Sequence, residues 1–524
     1  MSFRSWLWDP QRVLCLVACF AAFVVQSGEL GSSDTMHRLQ ATHSFWTSAP
    51  AVFPDEYPEF GVHGRGGRLY GWFGMGQSLL MFPADVVGTW LEQLSIFEDY
   101  NGNDPSVRNI VVSYGISILL SGLTALVVFR FLRHLRFTVR QATAGGLALL
   151  FCTTHLHYTQ NMMENNYIML LTLTGLCFEY DWLQTGNQRA LRLGAAAFGL
   201  NLLTRLTTGM DLMAGGVLVV LVWLYQGVPG RSLVNHLVRY VKTVAPIYGS
   251  FLFIDRLYQY YRFGSFFHTY VWVVAKEYHR LNPALPPSYP WETPFHVGFL
   301  GPLITPEKSI FLFDPLIVLT IAVALLCWKA FTAEIKAYLV TSFLLVLSYI
   351  SFYARYTVWS GDFAWGDRYV STAVELAAYF SVPLWLRYRA QLGRLVWTAG
   401  TALIAVSAMV QVASLAFWLP LEIYQMETLG HPTFVIALRL KNIVAFAFGW
   451  MDRWGLNNVP MTQDPWDYVH ITTWNFLPFL LRRVGEAPTW VVNTVFAVWG
   501  AALVSLGLLL RQLRRALVGL EGRS

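Results

Sequence analysis

Charge is what this sequence has least of. Only 13% of its 524 residues are Asp, Glu, Lys or Arg, about half of the ~25% carried by an ordinary soluble domain. A chain this long and this poor in charge cannot cover a water-facing surface, so its excess apolar side chains must face lipid. That excludes a soluble enzyme, a nucleic-acid binder and a disordered scaffold. Cysteine is scarce too. Cys15, Cys19, Cys152, Cys177 and Cys327 all stand in apolar runs and read as small hydrophobes, without a disulfide framework or metal-ligand spacing. Fixed-period repeats and low-complexity segments are missing. Lysine is rare beside arginine, the usage of a GC-rich bacterial genome.

Apolar sequence is abundant, at 55% of the chain. At roughly 20 residues per crossing this supports about ten to twelve spans, so the expected fold is an all-α polytopic membrane protein with about twelve transmembrane helices. The apolar runs lie near 13–25, 111–130, 142–157, 166–183, 193–204, 210–226, 243–261, 310–328, 337–354, 369–386, 396–418 and 489–510. Val13–Val25 follows Arg4 and Arg12 but lacks a small-residue cleavage site, so it reads as an uncleaved first span rather than a signal peptide.

The net charge of +6 is scattered beside these runs rather than gathered in a nucleic-acid footprint. Every second connection is short and basic, as at Arg130–Arg140, Arg189–Arg192, Arg231–Lys242, Lys329–Lys336, Arg387–Arg394 and Arg511–Arg515. The positive-inside rule then predicts a bacterial inner-membrane protein with both termini cytoplasmic. The long connections 28–109, 262–309, 355–368 and 419–488 fall on the periplasmic face, and any chemistry belongs there.

The first of these connections is patterned. Met36, Leu39, His43 and Trp46 at three- and four-residue spacing predict an amphipathic helix in the membrane interface. Leu79–Val87, interrupted by Pro83 and Asp85, predicts a second interfacial or partly embedded helix. Asp34 follows the first span directly. It reads as a helix N-cap, or as an acid–base group at the headgroups, with Arg38 one turn on and facing it.

Ionisable groups at membrane depth cost about 2.5–3.5 kcal/mol each on insertion scales, so each asks for a reason. Asp34, Glu164, Arg205, Lys308 and Arg368 all map to the outer interface. Together they describe a site with two carboxylates and several cations, open to the outer leaflet. Asp255 and Arg256 read as structural, pairing with other spans. The tryptophans of the outer loops serve as interfacial anchors or as platforms for sugar rings. His37, His43 and His63 are too loosely spaced to hold a metal, and the arrangement requires none.

These residues, in this order, resemble the GT-C superfamily of membrane glycosyltransferases, which use polyprenyl-phosphate-linked sugars. The chain is most similar to bacterial members related to protein O-mannosyltransferases and lipid A aminoarabinose transferases. The resemblance covers nearly the whole chain. It rests on Asp34 with Arg38, Gly67–Gly88, Glu164, Thr204-Arg205, Arg262-Phe263-Gly264-Ser265, Pro306–Pro315 and Trp359–Tyr369. Two motifs depart from the family: Thr35 follows Asp34 where O-mannosyltransferases pair Asp with Glu, and Asp367 precedes Arg368-Tyr369 where relatives carry proline.

The resemblance implies catalytic acids at Asp34 and Glu164. It implies substrate-binding residues at Arg38, Arg205, Lys308, Arg368 and Tyr369, with Arg205, Lys308 and Arg368 holding the lipid phosphate. No cofactor or metal is implied. The partners would be a polyprenyl-phosphate-linked sugar, membrane lipids, and a lipid, glycan or protein acceptor. Asp34 would take the acceptor proton, with inversion at the sugar, and Glu164 would orient the acceptor or assist the base. The rival reading is a transporter or lipid flippase without chemistry, and a structural subunit of an envelope-assembly complex is a third. The orientation makes a direct prediction. In intact cells a membrane-impermeant maleimide should label Ser288→Cys and leave Ser232→Cys unlabelled.

Overall fold

The computed structural model describes residues 9–100, 104–362, 364–427, 429–450, 473–484 and 487–521. Arg4, Phe363 of the Trp359–Tyr369 loop and residues 451–472 of the last long connection lie outside the described residues. Helix dominates throughout. Among the described residues the strands are two short antiparallel ones, Val62–His63 and Leu69–Tyr70, with Val62 opposite Tyr70.

The first half of the chain forms α1 (Pro10–Val25), α2 (Ser33–His43), α3 (Met75–Glu92), α4 (Val107–His134), α5 (Val139–Cys152), α6 (His155–Gln160), α7 (Asn165–Thr185), α8 (Gln188–Thr204) and α9 (Gly209–Tyr225). The second half begins with α10 (Gly230–Phe263), α11 (Tyr270–Leu281), α12 (Phe295–Ile304), α13 (Ile310–Phe313), α14 (Leu316–Cys327) and α15 (Ala333–Tyr353). It continues through α16 (Ser371–Ala378), α17 (Ser381–Arg387), α18 (Arg394–Ser414), α19 (Pro420–Glu427), α20 (Val435–Ala447), α21 (Leu477–Val484) and α22 (Thr489–Glu521). α1 packs on α4 and α22, α7 on α8, and α9 on α15.

Six helices among the described residues are long and apolar enough to cross a membrane: Val107–His134, Leu206–Tyr225, Gly230–Phe263, Ala333–Tyr353, Arg394–Ser414 and Thr489–Gly519. Three of the expected runs are broken instead. The run near 142–157 stops at Cys152 and resumes at His155. The run near 310–328 parts at Asp314-Pro315, where proline has no amide to donate and restricts the residue before it. The run near 369–386 parts at Tyr379-Phe380, because the Pro383 ring displaces the carbonyl four residues back. The seventh run is longer than expected, since α10 takes in Arg231, Arg239 and Lys242. Among the described residues Asp255 and Arg256 pair with each other rather than with other spans. Arg256 Nε lies 2.9 Å from Asp255 itself, and its Nη1 donates to the carbonyls of Phe266 and His268.

The first connection is more deeply built in than an interfacial strap. α3 turns Gln77, Ser78, Met81, Asp85 and Gly88 inward, a stripe at helical spacing. Leu79, Phe82, Val87 and Trp90 point outward. This is a water-soluble helix turned inside out, polar within and apolar without. α2 buries a mixed face, with Leu39 beside Thr35, His37, Arg38 and Thr42, and leaves Met36 exposed. Of the apolar stripe that the spacing suggested, Leu39 is buried and Met36 faces outward.

Asp85 holds the two helices to α4. It is fully buried, takes Arg108 Nε at 2.5 Å, and accepts from Trp46 Nε1 at 2.7 Å, with His43 Nδ1 at 3.2 Å. Trp46 thus has a fixed hydrogen-bonding role. Trp365 is also interior, packed against Phe313 and His157. Trp90 and Trp490 are exposed among apolar neighbours. Removing the shared carboxylate strands Arg108. Asp85→Ala is expected to destabilise the fold by about 3–5 kcal/mol, read as a lowered Tm in detergent.

Candidate active site

The site begins where the chain leaves α1. Gln26 Nε2 bonds the Thr159 carbonyl, and the chain turns at Gly31 with φ +75°. A Cβ there would lie 2.5 Å from the Asn161 backbone, so only glycine lets the strand of chain pass so close. Ser32 caps α2, its Oγ accepting from Thr35 N at 3.2 Å. The cap is therefore not Asp34, whose carboxylate is left free in the first turn, where the helix dipole favours it. Thr35 Oγ1 donates to the Met162 carbonyl at 2.8 Å, which fixes the rotation of α2 against the turn that carries Glu164.

That rotation decides the pairing. Arg38 does not meet Asp34. Its Nη1 lies 2.7 Å from Glu164 Oε2, and its guanidinium sits over the Phe73 ring at 4.4 Å. Asp34 pairs instead with a residue 334 positions away, Arg368, whose Nη1 donates to Oδ2 at 2.7 Å. Arg205 ends α8 with an extended backbone that throws its side chain toward Glu164, and its Nη2 bonds Oε1. Both Glu164 oxygens are thus held by arginines, and the carboxylate is buried.

Tyr369 closes the cluster. Its ring lies 5.2 Å from the Arg205 guanidinium and 5.3 Å from that of Arg368. Tyr353 stacks behind it at 4.4 Å. The Arg368 carbonyl is pinned by Asn165 Nδ2 at 2.8 Å, so the residue beside Glu164 also sets the register of the 355–370 loop. Five of the charged residues singled out by the sequence (Asp34, Arg38, Glu164, Arg205 and Arg368) and Tyr369 therefore stand together.

Lys308 belongs to the scaffold and not to the cluster's open face. Its ammonium donates to the carbonyls of Asp362 at 2.5 Å, Ala364 at 2.9 Å and Gly366 at 3.3 Å. All three of its protons are used in holding the loop, which leaves none for a phosphate. Burial pulls this ammonium down to about 8 against the opposing charges of Glu307 and Asp367. Arg262 has a similar role, bonding the carbonyls of Gly71 and Phe73 and so seating Phe73 under Arg38. Sequence reasoning missed Phe73, Asn165, Tyr353 and Tyr270, the last of which faces Arg38 and Arg205. Aromatic and amide residues are too common in the chain to stand out by type.

The cluster holds three arginines against two carboxylates, a surplus of one positive charge. Arg368 Nε is buried without a hydrogen-bond acceptor. Burial alone would raise the Asp34 carboxyl, but the charges of Arg368, Arg38 and Arg205 outweigh it and hold the group below its ordinary value. Asp34 Oδ2 is engaged with Arg368. Among the described residues Oδ1 has no partner, and the side chain is one-fifth exposed. The result is a partly exposed carboxylate among three guanidinium groups.

Neither a protein-family model nor a curated protein matches the chain. A carboxyl held below its ordinary value stabilises the fold at pH above that value, and the contribution vanishes as pH falls through the lowered one. Thermal unfolding of the wild type is therefore expected to weaken on acidification below the ordinary Asp value of 3.8. Asp34→Asn should show a smaller acid slope.

Proposed function

We propose that the chain is a GT-C-like membrane glycosyltransferase, which moves a sugar from a polyprenyl-phosphate donor to an acceptor hydroxyl. The observation that carries this reading is the Asp34 carboxylate. One oxygen is fixed by Arg368, the other is open, and both lie within a cluster of net positive charge.

Position supports the same reading. α7 has 21 residues, about 30 Å at 1.5 Å per residue, which is the thickness of a hydrocarbon core. Glu164 precedes its first turn. At its far end Asp181 meets Arg130 at 3.2 Å, and nearby Gln226 meets Glu334 at 3.1 Å. The cluster and the basic connections thus occupy opposite ends of the bundle. With the broken helices counted as crossings, the fold has about twelve membrane-crossing segments in an inner membrane. The termini lie on the basic, cytoplasmic side and the cluster faces the periplasm.

In the reaction the acceptor oxygen attacks the anomeric carbon. Its proton passes to Asp34 Oδ1, the bond from the anomeric carbon to the phosphate oxygen breaks, and the electron pair leaves with the polyprenyl phosphate. The surplus guanidinium charge of Arg38, Arg205 and Arg368 stabilises the phosphate as its negative charge grows in a site poor in water. A lone base without a second carboxylate as nucleophile gives inversion. Glu164 acts by holding Arg38 and Arg205, since neither of its oxygens is open to take a proton. Lys308 acts by holding the loop that carries Arg368.

Release of polyprenyl phosphate from a labelled donor, in detergent, tests the reading. Asp34→Asn should slow it by about 10²–10⁴-fold, the usual contribution of a general base, while the protein still inserts and folds. An unchanged rate in this variant would refute Asp34 as the base. A transporter or flippase would release no phosphate from either protein.

A further inference from the structure

Two helix breaks and the helix α16 meet inside the bundle. Thr154 lies between α5 and α6, Asp314 lies between α13 and α14, and Glu375 lies on α16. All three are buried, as is His155. Thr154 N donates to Asp314 Oδ1 at 2.8 Å. Thr154 Oγ1 stands 3.0 Å from Asp314 Oδ2 and 2.8 Å from Glu375 Oε1. Both are hydrogen-bond lengths between oxygens.

A threonine hydroxyl has one hydrogen. It can be donated to one of the two carboxyl oxygens and not to both. The second close contact needs a hydrogen from elsewhere, and the carboxyl group itself is the source at hand. Electrostatics agrees. The charged or titratable groups facing the pair are the two acids themselves, His155 and Tyr158. Among the described residues no lysine or arginine bonds either acid. Two buried carboxylates without a cation repel each other and lack solvation. A second, independent observation points the same way. His155 is fully buried with neither ring nitrogen hydrogen-bonded, and its Nδ1 stands 3.9 Å from Glu375 Oε2.

We propose that Asp314, Thr154 and Glu375 form a proton-binding site inside the bundle, holding one exchangeable proton between two carboxyl groups. The proton stays on a carboxyl oxygen, which donates it to Thr154 Oγ1 while the threonine hydroxyl donates its own hydrogen to the other carboxylate. Broken helices that place ionisable groups at membrane depth are where proteins bind ions in a bilayer. Glu375 also lies on the helix that begins two residues after Tyr369, so the site acts on the segment that carries Arg368.

Infrared absorption of the purified full-length protein in detergent tests this independently of glycosyl transfer. At neutral pH the wild type should show a protonated-carboxyl carbonyl band that shifts in deuterated water. Glu375→Gln and Asp314→Asn should each remove part of that band. Glu375→Gln should also keep its Tm, because the amide supplies the missing hydrogen to Thr154. The proposal fails if the wild type lacks the band, a result that needs no variant to fold, or if both amide variants leave it unchanged. It also fails if the band is absent and sodium raises the Tm of the wild type but not of Glu375→Gln, which would make this a sodium site.

Discussion

Glu164 can be buried only because two guanidinium groups meet it, one from the first long connection and one from the end of α8. A carboxylate in this position without partners would lose its hydration and gain nothing in return. Each arginine alone would face the same penalty. The three charges hold one another in place, and the rest of the cluster is arranged around them. Arg38 fixes the face that α2 presents, which in turn sets Asp34 toward Arg368. Arg205 brings the guanidinium against Tyr369, and Asn165, the next residue after Glu164, pins the Arg368 backbone. A buried ion pair adds little net stability. Its value here is that it lets only one arrangement of distant segments close.

The polar side chains of the site face inward because the outside is apolar. In α2 and α3 the residues that would be hidden in a soluble protein, Met36, Leu79, Phe82 and Trp90, are outside. Asp85, Arg108 and Arg38 are inside or at the inner edge. This inversion leaves the interior rich in hydrogen-bonding groups that must find partners among themselves. Asp85 finds Arg108, Trp46 and His43. Glu422 and Gln425 of α19 find Arg439 and Asn442 of α20. Lys308 finds the carbonyls of the 355–370 loop.

The sequence is informative about which residues matter and poor on how they pair. Charge at membrane depth is expensive, so Asp34, Glu164, Arg205 and Arg368 stand out against an apolar background. The pairing of Asp34 with Arg38 followed from local helical geometry, and it fails because the Ser32 cap and the Thr35–Met162 bond rotate α2 the other way. No periodicity reports such a rotation. Lys308 stood out for the same reason as the arginines, and its three carbonyl partners lie in a loop whose path is set by tertiary contacts. The breaks at Pro315 and Pro383 follow from proline chemistry, although the apolar runs 310–328 and 369–386 were read straight through them. The break at Thr153-Thr154 was not, because threonine is tolerated in helices. Six of the twelve apolar runs coincide with the helices long and apolar enough to cross a membrane among the described residues, and the helices of the first connection were harder to place.

The double grip on Glu164 also bears on inheritance. Replacing this acid by a neutral residue leaves two cations buried, and replacing either arginine leaves the acid half balanced. Positions 38, 164 and 205 are therefore bound to change as a triplet, so a lineage that abandons one must abandon all three together or keep all three.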